Sequence, residues 1–362
     1  MNFAESWKGI RNFIVDQRVA ESSVIDSFYL KPKDGKPLAK FKPGQFLTYE
    51  LDIPGQSQTV IRTYTLSDCP HPEYYRASIK REPSPKDLPD VPSGLGSNYF
   101  HDFVHAGSEL KVKAPRGDFF LNTEADTPVV LLSGGVGQTP MISMLNSIVQ
   151  SDSQRETWFI HGALNSKVHA FGNHVRKLTV KRSQLHSHFV YSDPLSEDIQ
   201  GEDFDSTGYL SMSLLERLFG HNEFEFYVCG PPAFMKIIYN GLLDWGVPDS
   251  RIHYEFFGPA SVLKEGNESV QSQVENQGAI EVMFAGSGVK ATWDPSFSSL
   301  LDFAEAQGVN PAFGCRSGMC HSCLCKIIKG EIEYNDGPQA LSEPDDILIC
   351  CSKPRTNVVI AI

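Results

Sequence analysis

Residues 128–150, PVVLLSGGVGQTPMISMLNSIVQ, decide the fold. PVVLL is an unbroken apolar run of strand length, SGGVGQTP is a glycine turn, and MISMLNSIVQ spaces its apolar residues as a helix does. Strand, tight glycine turn and helix in that order build a parallel sheet. The alternation continues outward through WFIHGA at 158–163, FVYS at 189–192 and EFYVCG at 225–230, the last running into the helical pattern PPAFMKIIYNGLLDWG. Residues 124–258 therefore read as an α/β domain with a parallel sheet of Rossmann type.

On the N-terminal side the pattern changes. Residues 1–123 hold short alternating runs at 24–30, 45–51, 61–66 and 75–80, separated by Pro, Gly and Asp. Six such strands closing on themselves predict a small antiparallel β-barrel. On the C-terminal side, VLKEGNESVQSQVENQG at 262–278 shows no periodicity and marks a linker over 259–278. Residues 279–362 then form a third unit, with strands of their own and one helix near 299–307. The chain is read as multidomain.

Its length allows this, since 362 residues fill two or three domains at roughly 150 each. A hydrophobic content of 41% with 21% charged residues is globular and argues against long disorder. Acidic residues outnumber basic ones 44 to 32, so no nucleic-acid partner is expected, because phosphate tracking needs clustered positive charge. No apolar run approaches the roughly 18 residues of a spanning helix. The N-terminal MNFAESWKGIRNFIVDQ carries Glu5, Lys8 and Arg11 where a secretory signal would be apolar. A cytoplasmic protein without membrane insertion is the expectation.

Five of the eight cysteines lie between Cys315 and Cys350, and Cys351 abuts the last of them. In a reducing compartment such crowding suggests metal ligation in place of disulfides. AFGCRSGMCHSCLCKIIKGEIEY sets Cys315, Cys320 and Cys323 as C-x4-C-x2-C, which resembles the plant-type ferredoxin signature for a 2Fe-2S cluster. Glycines at 314 and 318 permit the close wrapping of backbone N–H groups around sulfides. Structural zinc also takes four thiolates, but usually through two C-x2-C knuckles. The resemblance implies an α+β β-grasp ferredoxin domain over 279–362. It also implies Cys350 as fourth ligand, because ILICCSKP matches the family pattern of a ligand four residues before a proline, here Pro354. Cys325, on the following strand, reads as a buried small apolar residue.

Arg62-Thr63-Tyr64-Thr65 lies on a strand of the expected barrel. The next strand carries Ser78-Ile79-Lys80-Arg81-Glu82, and Gly94-Leu95-Gly96-Ser97-Asn98-Tyr99 then opens a helix. The free N–H groups of such a helix start suit a pyrophosphate, and Arg62 adds a fork of donors to the same anion. The Thr65 hydroxyl can bond a flavin edge while the Tyr64 ring covers the isoalloxazine face. Lys80, Gly96, Ser97 and Asn98 complete the expected flavin-binding set.

With these motifs in order, the chain resembles the ferredoxin–NADP reductase superfamily. Over residues 7–263 it is similar to the reductase portion of bacterial flavohaemoglobins, through WKGIRNF, FKPGQF, IRTYTLSD, GSNYFHDFVHAG, APRGDFF, SGGVGQTPM, VHAF, FYVCGPPAFM and IHYEFFGPASVL. The resemblance implies FAD, with FMN the alternative because FMN-containing phthalate dioxygenase reductases share the domain order. It also implies that Gly135, Gly137, Gln138 and Thr139 hold the nicotinamide nucleotide. Pro140 stands where the dinucleotide fingerprint has its third glycine, in a first helical turn that tolerates proline. The likeness further places Cys229 beside the nicotinamide with Gly230 leaving room for the ring, Pro231 next in the motif, and Glu255 and Phe257 near the flavin. Thr65, Cys229 and Glu255 are the expected catalytic residues.

NADH is favoured over NADPH, because the segment Ala163-Leu164-Asn165-Ser166-Lys167 offers one cation to a 2′-phosphate; Lys181 and Arg182 could reach in from a neighbouring strand. NADH yields a hydride and an iron–sulfur cluster accepts one electron at a time, so the order of sites predicts transfer from nicotinamide to FAD, then to the 2Fe-2S cluster, then to a partner protein. Residues 279–362 carry ten Asp plus Glu against six Lys plus Arg, an acidic balance suited to weak, salt-sensitive docking on a basic patch. A Rieske-type oxygenase component leads as acceptor. A hybrid-cluster, haem or desaturase protein, or broad diaphorase action, follow; a redox sensor or zinc-stapled binding protein is the non-enzyme reading. Nitric-oxide dioxygenation by this chain alone is not expected, since it begins almost at the barrel whereas flavohaemoglobins carry a globin there.

Overall fold

The structure, a computed structural model, describes residues 3–84, 93–257, 280–309, 311–314, 316, 318, 321–335, 341 and 343–362. Two compact units divide at Phe257, Met1–Phe257 and Gly258–Ile362. The expected linker at 259–278 lies outside the described residues.

The first unit opens with β1 (Ile10–Ala20), β2 (Ile25–Pro32), β3 (Phe46–Leu51), β4 (Val60–Thr65), β5 (Tyr75–Lys80) and β6 (Glu109–Arg116). They form an antiparallel sheet in the order β4-β3-β6-β1-β2-β5. Its two ends meet, because Leu66 bridges to Ala77 and the Ser67 N–H donates to the Arg76 carbonyl at 2.8 Å. Closure removes both sheet edges, and the barrel follows from that. Alternation along β6 turns Leu110 and Val112 inward, onto Phe13, Phe28, Tyr49 and Tyr75. Helix α1 (Leu95–Phe103) drives Phe100 among the rings of Phe28, Tyr49 and Tyr64, with centroids 5.1–5.3 Å apart.

A parallel sheet follows, built from β7 (Val129–Gly134), β8 (Thr157–Ala163), β9 (Leu185–Tyr191), β10 (Ser206–Thr207), β11 (Glu225–Cys229) and β12 (Ile252–Glu255) in the order β10-β9-β8-β7-β11-β12. Between them run α2 (Gln138–Gln150), α3 (Gly172–Lys181), α4 (Met212–Phe219) and α5 (Pro232–Asp244). Every residue of β7 is buried, as a parallel strand covered on both faces must be. From β7 the chain leaves toward β8, and from β11 it leaves the other way toward β12, so a crevice opens at the carboxyl ends of these two neighbours. Barrel and sheet share a core in which Ile25, Phe119 and Leu121 pack with Leu131, Met141 and Met144.

The second unit has β13 (Glu281–Phe284), β14 (Val289–Thr292), α5's successor α6 (Leu300–Ala306), β15 (Leu324–Lys329), β16 (Ile332–Tyr334), β17 (Asp346–Leu348), β18 (Ser352–Pro354) and β19 (Val358–Ile360). Five strands make a mixed sheet, β14-β13-β19-β15-β17, with β13 and β19 parallel, and β16 pairs with β18. Ser299 caps α6 by accepting the Asp302 N–H at 3.1 Å, which explains why the helix begins where the sequence places it. Leu300, Leu301, Phe303 and Ala304 bury one helix face against Val282, Phe284 and Ile360. Among the described residues no helix is long and apolar enough to cross a membrane.

Candidate functional site

Arg62, Tyr64 and Thr65 run along β4, and α1 starts beside them. Residues two apart on a strand share a face, so Arg62 and Tyr64 point the same way. Gly96 shows what they meet: a Cβ there would lie 2.6 Å from Arg62 Cγ and 3.0 Å from Tyr64 Oη. The glycine is thus a cradle that a side chain would fill, placed at a helix end whose first N–H groups have no intrahelical acceptor. This fits a flavin pyrophosphate. Burial holds the Tyr64 phenol above its usual range, so it remains a neutral donor. Thr65 is buried at the end of β4.

Ser97 and Asn98 use their side chains locally. Ser97 Oγ donates to the Gly94 carbonyl at 3.0 Å, and Asn98 Nδ2 donates to the carbonyls of Glu82 and Gly94, both at 2.9 Å. They fasten the helix entrance to the end of the β5 segment, so position 97 has its backbone N–H to offer a phosphate. Lys80 Nζ pairs with Glu82 at 2.9 Å.

The glycine turn lies on the crevice. Gly135 takes φ +54° with open space around it, a conformation and an approach that favour glycine. A Cβ on Gly137 would overlap the Cys229 carbonyl, and one on Gly230 would lie 2.6 Å from Phe234 Cδ1 and 3.0 Å from the Gly134 nitrogen. The turns after β7 and β11 therefore touch backbone to backbone. Gly134, which the sequence reading passed over, belongs to this contact, with a virtual Cβ 3.0 Å from Pro231 Cδ. Thr139 Oγ1 donates to the Val136 carbonyl at 3.1 Å. Gln138 is 1% exposed, and neither its Oε1 nor its Nε2 has a partner among the described residues. A buried amide left unmatched costs free energy, so it fits a polar ligand such as the nucleotide.

The register aligns four strands into one polar row: Glu255 opposite Cys229, Cys229 opposite Ser133, and Ser133 opposite His161. Strand neighbours in register share a face, and all four side chains are buried. Two of the three expected catalytic residues, Cys229 and Glu255, thus stand together, while Thr65 lies on the barrel. Burial, followed by the Glu255 charge, holds the Cys229 thiol well above its usual pKa, which keeps it neutral. Phe257, two residues past β12, is 40% exposed.

Ser133 Oγ and His161 Nδ1 are 2.9 Å apart, His169 Nδ1 and Tyr191 Oη are 2.9 Å apart, and the two imidazoles lie with centroids 4.8 Å apart. Desolvation pushes both down, His169 to about 3 and His161 well below its usual value. Below the ordinary histidine pKa of about 6.5, the unfolded chain binds protons that the folded chain refuses. Their stabilisation is therefore complete above that pH and is lost as pH falls toward the folded values. Urea unfolding of the chain should lose stability as pH falls below about 6.5, with a slope that approaches about 1.4 kcal/mol per pH unit per histidine a unit or more below that value. A double His161→Gln, His169→Gln variant should flatten that slope, and an unchanged slope would contradict the assignment.

Lys167, the cation expected after β8, pairs with Glu197 at 3.4 Å. Asp193 and Asp198 are close by: the Asp193 N–H donates to the Leu164 carbonyl at 2.9 Å, and Asp198 Oδ2 accepts the N–H groups of Ser166 and Leu195. The idea that Lys181 and Arg182 reach the nucleotide is corrected by the topology. Lys181 ends α3 and Arg182 follows it, ahead of β9 and so at the amino end of the strands, and Arg182 binds Asp152 at 2.9 Å and the Val149 carbonyl at 3.0 Å.

In the second unit, Cys315 and Cys320 lie outside the described residues. Cys323 and Cys350 are both buried in one core cluster. Ahead of Cys323, the described residues Arg316 (φ +57°), Gly318 (φ +82°) and His321 (φ +53°) take left-handed conformations. The Gly318 N–H donates to Cys350 Sγ at 3.2 Å. Cys351 Sγ instead donates to the Leu348 carbonyl at 3.6 Å, as a thiol does. An accepting sulfur at 350 and a donating one at 351 fit a cluster ligated through Cys350. Cys325 is partly buried on β15, and burial pushes its thiol up to about 12.

Two family descriptions match the chain: "Oxidoreductase NAD-binding domain" over residues 131–240 and "2Fe-2S iron-sulfur cluster binding domain" over residues 282–355. A flavohemoprotein of Bacillus cereus is 48% identical over 258 residues, covering 71% of this chain and 63% of that protein. The chain therefore spans about 63% of the length of the curated relatives it matches first. The flavohem-like FAD/NAD-binding domain of nitric oxide dioxygenase from Vibrio cholerae is 33% identical with a TM-score of 0.62, over 70% of this chain and 100% of that one. Phthalate dioxygenase reductase, described as a modular structure for electron transfer from pyridine nucleotides to [2Fe-2S], superimposes over 98% of both chains with a TM-score of 0.59. At 23% identity that likeness is one of fold.

Proposed function

Since the chain belongs to the flavohaem-like FAD/NAD-binding reductases of the ferredoxin–NADP reductase superfamily and carries a C-terminal 2Fe-2S domain, we propose that it draws electrons from NADH and delivers them singly to a Rieske-type oxygenase component. It is an NAD(P)H oxidoreductase with FAD, a 2Fe-2S cluster and NADH as its redox groups. When bound, the flavin takes a hydride and passes electrons on one at a time, which nicotinamide and cluster cannot do for each other.

The chain's own residues bind and orient. Arg62 and the N–H groups of Gly96 and Ser97 hold the flavin pyrophosphate, braced by Asn98 and Lys80, while Tyr64 shields the ring and Thr65 donates to its edge. Gly135, Gly137, Gln138 and Thr139 hold the NADH phosphates, and Gly230 and Pro231 leave the nicotinamide its room. Cys229, kept neutral beside Glu255, packs against the reacting edge without adding charge there, and Phe257 covers it. Cys315, Cys320, Cys323 and Cys350 ligate the cluster. In this reading 1–123 is the flavin domain, 124–258 the nicotinamide domain, 259–278 the linker and 279–362 the ferredoxin domain.

The observation that carries the reading is that one compact unit holds both the Arg62–Thr65 strand and a glycine turn at the sheet's switch point. The carboxylates around Lys167 support NADH, because they oppose a 2′-phosphate. The oxygenase partner is supported by the shared fold of phthalate dioxygenase reductase and by the acidic balance of residues 279–362.

Anaerobic addition of NADH should bleach both flavin and cluster absorbance, NADPH should act more than about tenfold less efficiently, and a purified Rieske oxygenase component should be reduced at a rate that falls with salt. Flavin that stays oxidised under excess NADH would end the reading. Full bleaching with no electron reaching the oxygenase would remove the partner and leave a diaphorase.

A further inference from the structure

Asp68 stands three residues beyond Thr65, just past the point where the barrel closes. Its oxygens bind two halves of the unit. The backbone carbonyl accepts Ser143 Oγ at 2.7 Å, and Oδ1 accepts Asn146 Nδ2 at 2.8 Å, both from α2. Oδ2 accepts Tyr74 Oη at 3.1 Å and lies 3.5 Å from Arg76 Nη1, both from the barrel. Asn146 is shared in turn, because its Oδ1 accepts His174 Nε2 of α3 at 2.7 Å. A second tie runs parallel: the Arg76 guanidinium, which also donates to the Ser67 carbonyl, lies 5.1 Å from the ring of Phe171, a residue held at φ +61° ahead of α3.

The helix carries this contact straight to the nucleotide turn. Thr139, Ser143 and Asn146 follow the i, i+4, i+7 spacing of one helical face. A displacement of Ser143 and Asn146 relative to Asp68 therefore moves the turn that begins at Gly135 relative to the strand that ends at Thr65. Neither tie touches the expected ligand positions.

We infer that Asp68, gripping Ser143 and Asn146, is a positioning latch that fixes how the nicotinamide meets the flavin edge, and so sets the rate of hydride transfer without setting the affinity for either ligand. The inference rests on the reductase reading above. Polar ties supply direction at this junction, which the apolar packing beside them does not.

The test compares the full-length parent with Asn146→Ala, Asn146→Asp and the exchange Asp68→Asn, Asn146→Asp, in anaerobic stopped flow with NADH. Asn146→Ala should slow flavin reduction at saturating NADH about tenfold, with the concentration for half-maximal rate, the flavin content and the flavin potential unchanged. Its nicotinamide–flavin charge-transfer absorbance should weaken. Asn146→Asp, which sets two carboxylates face to face, should be slower still, and the exchange should recover most of the rate. In flavin-free protein, hydrogen exchange should rise at residues 66–69 and 143–147 of the alanine variant, a readout independent of turnover. A rate within twofold of the parent, or a rate lost only in step with flavin content or melting temperature, overturns the latch. A parent chain that NADH fails to reduce overturns the reductase reading, and the latch falls with it.

Discussion

Gly137→Ala should cost more than about 100-fold in kcat/KM for NADH while dithionite still bleaches flavin and cluster. The reason is geometric. The new methyl group would overlap the carbonyl of Cys229 and lie 2.5 Å from its carbon and 2.8 Å from the Gly230 nitrogen, all of them backbone atoms. No side-chain rotation relieves such a clash, so the turns after β7 and β11 must part, and a shift of about 1 Å at a reacting site costs on the order of 100-fold in rate. Overpacking should also remove roughly 1–3 kcal/mol of stability. Gly135→Ala separates the causes: its site is open but its φ of +54° is left-handed, so it should cost about 1–2 kcal/mol through backbone strain without the steric rupture. Equal kcat/KM in the Gly137→Ala and parent proteins would mean that the two turns do not jointly seat the nucleotide.

Cys350→Ser should give a protein that keeps its flavin, loses the cluster's absorbance and acid-labile sulfide, and stops reducing cytochrome c while still reducing ferricyanide. Loss of even an outer hydrogen-bond partner weakens a metal site by roughly 10–100-fold, so loss of a ligating sulfur should exceed that. Cys351→Ser should retain the cluster, because its sulfur donates to the Leu348 carbonyl and a serine hydroxyl can do the same, whereas Cys350 accepts the Gly318 N–H. The reverse result, with the cluster kept by Cys350→Ser and lost by Cys351→Ser, would move the fourth ligand by one residue. Persistent cytochrome c reduction in a cluster-free protein would place electron exit at the flavin. Unit Gly258–Ile362 should melt earlier without the cluster, since ligand bonds made only in the folded chain count toward folding.

Much of this was legible in the sequence because the signals are local. A glycine turn after an apolar run needs no distant residue to be recognised, and neither does a cysteine loop, nor the helix capped at Ser299. The barrel was legible less fully: β1, exposed from Asp16 to Ala20 whether polar or apolar, shows no clean alternation, and its place beside β6 and β2 is a matter of pairing. Arg182 stands at the amino end of β9, which its proximity in sequence to that strand does not reveal. Ser97 and Asn98 close their side chains on Gly94 and Glu82, a choice made by local geometry that no sequence pattern displays.

Composition, turn chemistry and hydrophobic period by themselves determined three kinds of unit, their order and the residue types available for flavin, nucleotide and cluster. Those properties reside in short stretches of chain. Only the tertiary structure decided that Glu255, Cys229, Ser133 and His161 form one row, that Gly137 leans on the Cys229 carbonyl, and that Asp68 grips Asn146. Each of these joins segments brought together by parallel crossovers and barrel closure, and strand register, which no local stretch encodes, sets which side chains meet.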